Sequence, residues 1–169
     1  MATYVVPKVP LYAQGDKRSC WYHSARMVYD ALVGPMPNSM IRPTRMMDPK
    51  SQTEAVKLVK NYLGLDASQI AWLKKELCMK EHPNPAYTYQ ALQSLMANHG
   101  ALWVGLEKNW SGNQHEHVVV VCGVSETGVK IHDPEPVFVG TQVWLTWAQY
   151  TKAVETWKTR HNVTQYLSG

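Results

Sequence analysis

What this sequence lacks narrows the field first. No apolar run approaches the roughly 20 residues of a helix that spans a bilayer, so no helical membrane segment is expected. Cysteine occurs three times, an odd and small number that argues against a disulfide framework and for a reducing compartment. Positive charge is in modest excess, with 17 Lys and Arg against 13 Asp and Glu. It is spread along the chain, whereas a nucleic-acid site needs a clustered basic stripe. Lys57/Lys60 and Lys74/Lys75 read as solvated helix faces. Internal repeats and linkers are missing too, so residues 1–169 read as one domain, expected to be a monomer. The N-terminal MATYVVPKVPLY has two prolines and no long apolar block, so it does not read as a signal peptide. Phenylalanine occurs once, while seven Trp and nine Tyr carry the aromatic content. Such rings, apolar with one polar edge, suit both a core and a groove.

What is present is organised around Gln14 to Val28. Ser19 stands as an N-cap, and Trp21, Ala25, Val28, Ala31 and Leu32 recur at helical spacing, so a helix begins near Cys20 and ends before Gly34-Pro35. Before it, residues 1–13 form an extended arm that Pro7 and Pro10 confine to an edge or loop. Prolines 35, 37, 43 and 49 break up residues 34–50. A capping box at Ser51 and Glu54 starts a second helix that Gly64 closes. Residues 66–80 read as a third helix, and Tyr87–Asn98 as a fourth, stopped by His99-Gly100.

The pattern then changes period. Ala101–Leu106 is a buried strand followed by a polar loop, Lys108–Gln114. His117–Val124 is the strongest strand signal, and it turns at Ser125–Gly128 into a returning strand, Val129–Asp133. Val137–Val139 and Thr141–Leu145 can extend the sheet, Thr146 caps a helix to about Trp157, and residues 160–169 can add a last strand. Helices first and an antiparallel sheet afterwards make an α+β order.

The chemistry follows from these placements. A helix N-terminus carries partial positive charge and free N–H groups, which favour a thiolate at Cys20. Gln14, six residues upstream, can offer an amide donor. His117 opens a buried strand, where it can be held in one rotamer as a base. Asp133 ends the returning strand and can fix the imidazole's tautomer. A regular hairpin, however, pairs Asp133 with Val120, which points it away from the face of His117. An irregularity in the hairpin is therefore expected. Cys78 and Cys122 read as structural thiols, and His23 as packing. His115 and His117 share a strand face, but no third ligand follows at useful spacing, so neither a metal nor another cofactor is expected.

With those boxes in place, the chain resembles a known group. Val9–Gln14, Ser19-Cys-Trp21, His117–Val124 and Ile131-His-Asp-Pro134 look like the signatures of papain-like and bacteriocin-processing (C39-like) cysteine peptidases. The resemblance implies a papain-like fold with peptide-bond hydrolysis, Cys20, His117, Asp133 and Gln14 being catalytic, and a protein or peptide substrate. A Gly-Gly preference is typical of the bacteriocin-processing relatives. Trp21, Trp110 and Glu116 are assigned to the substrate side, Trp21 also reading as core and Trp110 as a loop anchor. Small domains of this kind resemble secretion-system effectors, which implies an antibacterial toxin acting in the target-cell cytoplasm and a cognate immunity protein. The same triad also serves an amidase on cell-wall peptides or a glutamine deamidase, which stands as the alternative. A binding module on a dead peptidase scaffold is disfavoured by the intact set.

Overall fold

The structure, a computed structural model, describes residues 2–15, 18–33, 74, 79–82, 86–112, 114–161 and 166–168. The expected crossing over residues 34–50, the helix from Ser51 and Cys78 lie outside them. Of the expected third helix, Lys74 is helical, whereas Lys80 already belongs to a strand. Helix α1 spans Cys20–Val33, α2 Tyr89–His99 and α3 Trp147–His161. The strands are β1 Thr3–Val5, β2 Lys80–Glu81, β3 Leu102–Lys108, β4 His115–Ser125, β5 Gly128–Asp133, β6 Thr141–Thr146 and β7 Tyr166–Ser168.

The strands form one antiparallel sheet in the order β2-β7-β3-β4-β5-β6, with β1 added to the far half of β4. The expected α+β order is therefore observed. The tail does join the sheet, as β7 between β2 and β3. Val137–Val139 does not: it forms a turn closed by Val139 N–H and Gly140 N–H, both donating to the Pro136 carbonyl. Strand β3 runs two residues further than its apolar stretch, through Glu107 and Lys108, both buried.

Local chemistry sets the helix boundaries. Thr88 accepts from Ala91 N–H at the start of α2, and Gly100, at a φ of 76°, ends it. Thr146 accepts from Gln149 N–H at the start of α3. At α1 the cap differs from expectation. The Ser19 carbonyl accepts the first helical bonds, from Tyr22 and His23. The Ser19 hydroxyl, however, is buried with no hydrogen-bond partner among the described residues.

Two buried bonds lock α1 to the sheet. Ser24 Oγ donates to the Val118 carbonyl at 3.1 Å, and Trp103 Nε1–H donates to the Trp21 carbonyl at 3.0 Å. They fix the first turn of α1 against the strand that begins with His115-Glu-His117. The arm before α1 is fastened as well, by Tyr12 Oη–H to Asp30 and by His132 Nδ1 bonded to the Pro10 carbonyl.

The hairpin irregularity is found at Cys122. Val124 pairs with Val129 and Gly123 with Lys130, but the next pair is Val121 with Ile131, so Cys122 is the extra residue of a bulge. Val120 then faces His132, and Asp133 falls in line with Val119, on the face that His117 shares. At the turn, a Cβ on Gly128 would lie 2.0 Å from the Leu145 carbonyl oxygen, so only glycine allows β6 to pair there.

Candidate active site

Cys20 is the first residue of α1 and half-buried. As the first helical residue, it has no acceptor for its N–H within the helix. Across from it, His117 is buried and its ring lies within hydrogen-bonding reach of the Cys20 sulfur. The His117 Nε2 sits 2.7 Å from Asp133 Oδ1.

Asp133 is satisfied on every side. Oδ1 also accepts from Glu135 N–H at 2.8 Å, and Oδ2 accepts from Lys108 Nζ at 2.7 Å and Trp110 Nε1–H at 3.3 Å. Burial works to raise its pKa. The bonds from His117 and Lys108, with the His117 charge and the Glu135 N–H, outweigh that and hold it below the usual carboxylate range. An ionised Asp133 only accepts, so the His117 proton sits on Nε2 and Nδ1 is the nitrogen left for the thiol. Burial, the largest influence on His117, lowers its pKa. The negative charge at Cys20 and the hydrogen bonds to Asp133 and Cys20 override it and raise the value to about 9.

A second carboxylate extends the network. Lys108, only 3% exposed, bridges Asp133 and Glu135 Oε2, each at 2.7 Å. Burial raises the Glu135 pKa, but Lys108, together with the His117 and His115 charges, brings it below the ordinary value. Glu135 Oε1 accepts from Gln14 Nε2–H at 3.3 Å. Gln14 is fully buried, its N–H donates to the Pro134 carbonyl and its carbonyl accepts from Phe138 N–H. Gln14 Oε1 has no hydrogen-bond partner among the described residues.

Neither Lys108 nor Glu135 is singled out by sequence reasoning. The polar run Lys108–Gln114 reads as a loop, so a strand end buried beside two carboxylates has no periodic signal. A Glu two residues beyond Asp133, within Asp-Pro-Glu-Pro136, is the one hint the sequence carries.

Two substrate-side assignments are corrected. Trp21 is buried, and its ring is part of the hydrophobic core rather than of the groove. Glu116 alternates to the opposite strand face from His117, where it pairs with Arg160 and His161 of α3. Trp110 takes the anchor role, with its N–H on Asp133 and its ring centroid 5.6 Å from Lys108 Nζ. Its ring also lines a cavity of about 350 Å³ with Pro136, Val143 and Trp144, which reaches Asp133 but not Cys20.

Cys122 is inert, its pKa pushed by burial to about 12. The third ligand missing from the sequence for His115 and His117 is supplied by Glu135, the ligand atoms lying within 4.8 Å of one another. Glu135 Oε2 is already on Lys108 and His117 Nε2 on Asp133, so a metal there competes with an ammonium for one and with a buried hydrogen bond for the other.

A helix-start thiol, a histidine against it and a carboxylate holding that histidine are the working parts of a thiol-dependent acyl-transfer enzyme. The chain carries them on an α+β scaffold of three described helices and one antiparallel sheet. Residues 5–155 match the family described as papain-like cysteine protease AvrRpt2, and the chain belongs to that family: it is a papain-like cysteine peptidase. Among curated proteins, none matches the chain.

The raised His117 pKa has a testable sign. Its ordinary value is 6.5 and its folded value about 9, so the stability it contributes is complete below about 6.5 and lost as pH rises through about 9. The melting temperature, followed from pH 6 to 10, should fall steadily from about pH 6.5 and level off above about 9. A melting temperature that does not vary over that interval would show that His117 is unpaired.

Proposed function

We propose that the site hydrolyses peptide bonds in a protein substrate by an acyl-enzyme route. Cys20 attacks the scissile carbonyl. His117 takes its proton through Nδ1 and returns it to the leaving amine, while Asp133 holds the ring by Nε2–H. The Cys20 N–H and the free Nε2 hydrogen of Gln14 receive the oxyanion. The observation that carries this reading is the single imidazole joining the Cys20 thiol to a buried carboxylate with every lone pair occupied.

Gln14 tests the oxyanion part. Its backbone bonds survive truncation, and its amide donor matters most as charge develops on the substrate oxygen. Gln14→Ala should lower kcat by roughly 10²–10³ with little change in KM. Cys20 should still be labelled by a thiol-directed warhead. A fall in melting temperature with kcat intact would leave Gln14 as a brace for the arm.

The protein acts, in this proposal, as a secreted effector protease, because its family comprises secreted effectors that act in host cells. Delivery against competing bacteria and a cognate inhibitor rest on the resemblance to secretion-system effectors, and Gly-Gly cleavage on the resemblance to bacteriocin-processing peptidases. The deciding experiment incubates the active protein with host-cell lysate and, separately, with purified peptidoglycan. New protein N-termini seen by mass spectrometry support proteolysis. Released cell-wall peptides, or glutamine converted to glutamate without chain cleavage, would replace it with the amidase or deamidase reading.

A further inference from the structure

Gln14 brings an ambiguity to the site. The two ends of a primary amide have nearly the same shape, but the nitrogen donates and the oxygen accepts. Turned one way, the Gln14 amide stabilises an oxyanion; turned the other, it repels one. The backbone does not choose between them. Gln14 N–H donates to the Pro134 carbonyl and its carbonyl accepts from Phe138 N–H, and both bonds are indifferent to the turn of the side chain. Nor does the oxygen end choose, because the buried Gln14 Oε1 has no hydrogen-bond partner among the described residues.

Glu135 makes the choice. Its Oε1 lies 3.3 Å from Gln14 Nε2, and an ionised carboxylate can only accept. Burial pushes Glu135 toward its neutral form. Lys108 Nζ, 2.7 Å from Oε2, outweighs that with the His117 and His115 charges and holds the pKa below its ordinary value. The Glu135 backbone is fixed on both sides, its N–H on Asp133 Oδ1 at 2.8 Å and its carbonyl accepting from Thr141 Oγ1 at 3.0 Å. A flipped Gln14 would set two acceptors against each other, with Gln14 fully buried. In the observed turn, Glu135 takes one amide hydrogen and leaves the other for the substrate oxygen.

We propose that Glu135 is a positioning residue that fixes the donor orientation of Gln14, and that it does so by its negative charge rather than its volume. The inference rests on the reading of Gln14 as an oxyanion donor. A negative charge beside an oxyanion site ordinarily opposes catalysis. Lys108 offsets it through Oε2 and leaves Oε1 free to accept.

The neutral, nearly isosteric Glu135→Gln is the sharpest test. Lys108 has only hydrogens to offer, so it draws the oxygen of the new amide. The new nitrogen then faces Gln14 and donates to its Oε1, which holds Gln14 in the wrong turn. Glu135→Ala leaves Gln14 unguided but does not oppose it. Turnover of a peptide identified by its cleavage in host-cell lysate is measured per Cys20 labelled by a thiol-directed warhead, so that loss of folded protein does not count. In Glu135→Gln, kcat should fall at least about tenfold, toward the loss in Gln14→Ala, with KM little changed. Glu135→Ala should lose less than Glu135→Gln. In the Gln14→Ala background, Glu135→Gln should cost no more than about a further twofold, because no amide is left to turn. A merely structural role reverses the order, with Ala worse than Gln and the same loss in both backgrounds. That reversal, or a Glu135→Gln kcat within about twofold of the wild type while Gln14→Ala is impaired, would overturn the inference. Gln14→Ala with kcat intact would overturn the oxyanion reading itself, and this inference with it.

Discussion

Cys20→Ala is expected to reduce hydrolysis by roughly 10⁴-fold or more while the protein still folds. The size follows from the route: without the thiol no acyl-enzyme forms, and the oxyanion donors alone supply little rate. The fold should survive because Cys20 is half-buried at the first turn of α1. The bonds from Ser24 and Trp103 hold that turn independently of the sulfur. Cys122→Ala provides the control, since that thiol lies in the sheet and is held protonated. It should keep turnover within a few-fold, at some cost in stability. Hydrolysis of protein substrate by Cys20→Ala at the wild-type rate would remove Cys20 from the chemistry.

Lys108→Met should be the most destabilising single change at the site. It leaves Asp133, which is buried, and Glu135, which is partly buried, without their shared cation. Breaking one side of a buried ion pair costs about 3–5 kcal/mol. Turnover should fall with it, because Glu135 holds the Gln14 amide and Asp133 holds His117. The pH dependence identifies the cause. Both carboxyl groups have lowered pKa values in the folded wild type, so their contribution is present above the ordinary carboxylate range and lost as pH falls below it. The variant's deficit should therefore be largest near neutrality and shrink in acid, where its unpaired carboxylates take up protons. Denaturant unfolding at pH 7 and pH 4 measures this. Equal deficits at the two values would mean that only the packing of the lysine stem had been lost. Adding Glu135→Gln to Lys108→Met should recover part of the stability.

The catalytic candidates were legible because each sits where a strong local pattern begins or ends. Cys20 lies where turn residues give way to helical spacing, and His117 is the last polar residue before four valines. Asp133 precedes a proline that must end its strand. Even the hairpin bulge follows from parity, given that His117 and Asp133 share a face. What was not legible depends on contacts between distant segments. Lys108 looks solvated by its neighbours in sequence, and only the approach of the loop after Asp133 turns it into a buried bridge. Trp21 and Glu116 flank the two central residues, and that adjacency misdirected their assignment. Helix and strand geometry turns each of them away from the groove. Val137–Val139 reads as a strand from β-branched composition, but the hydrogen bonds to Pro136 win and make it a turn.

The bulge at Cys122 makes the chemistry depend on counting. From His117 to Asp133 the chain crosses a strand, a turn and a second strand, and the two groups meet only because one residue goes unpaired on the way. Pairing that residue into the ladder would make the hairpin regular with its apolar contacts nearly intact, yet it would set Asp133 opposite Val120 and present His132 and Pro134 on the face of His117. Over this stretch, drift in sequence is constrained by pairing register before identity: conservative replacements pass through, while a one-residue slip of the ladder leaves a folded protein with a mute thiol.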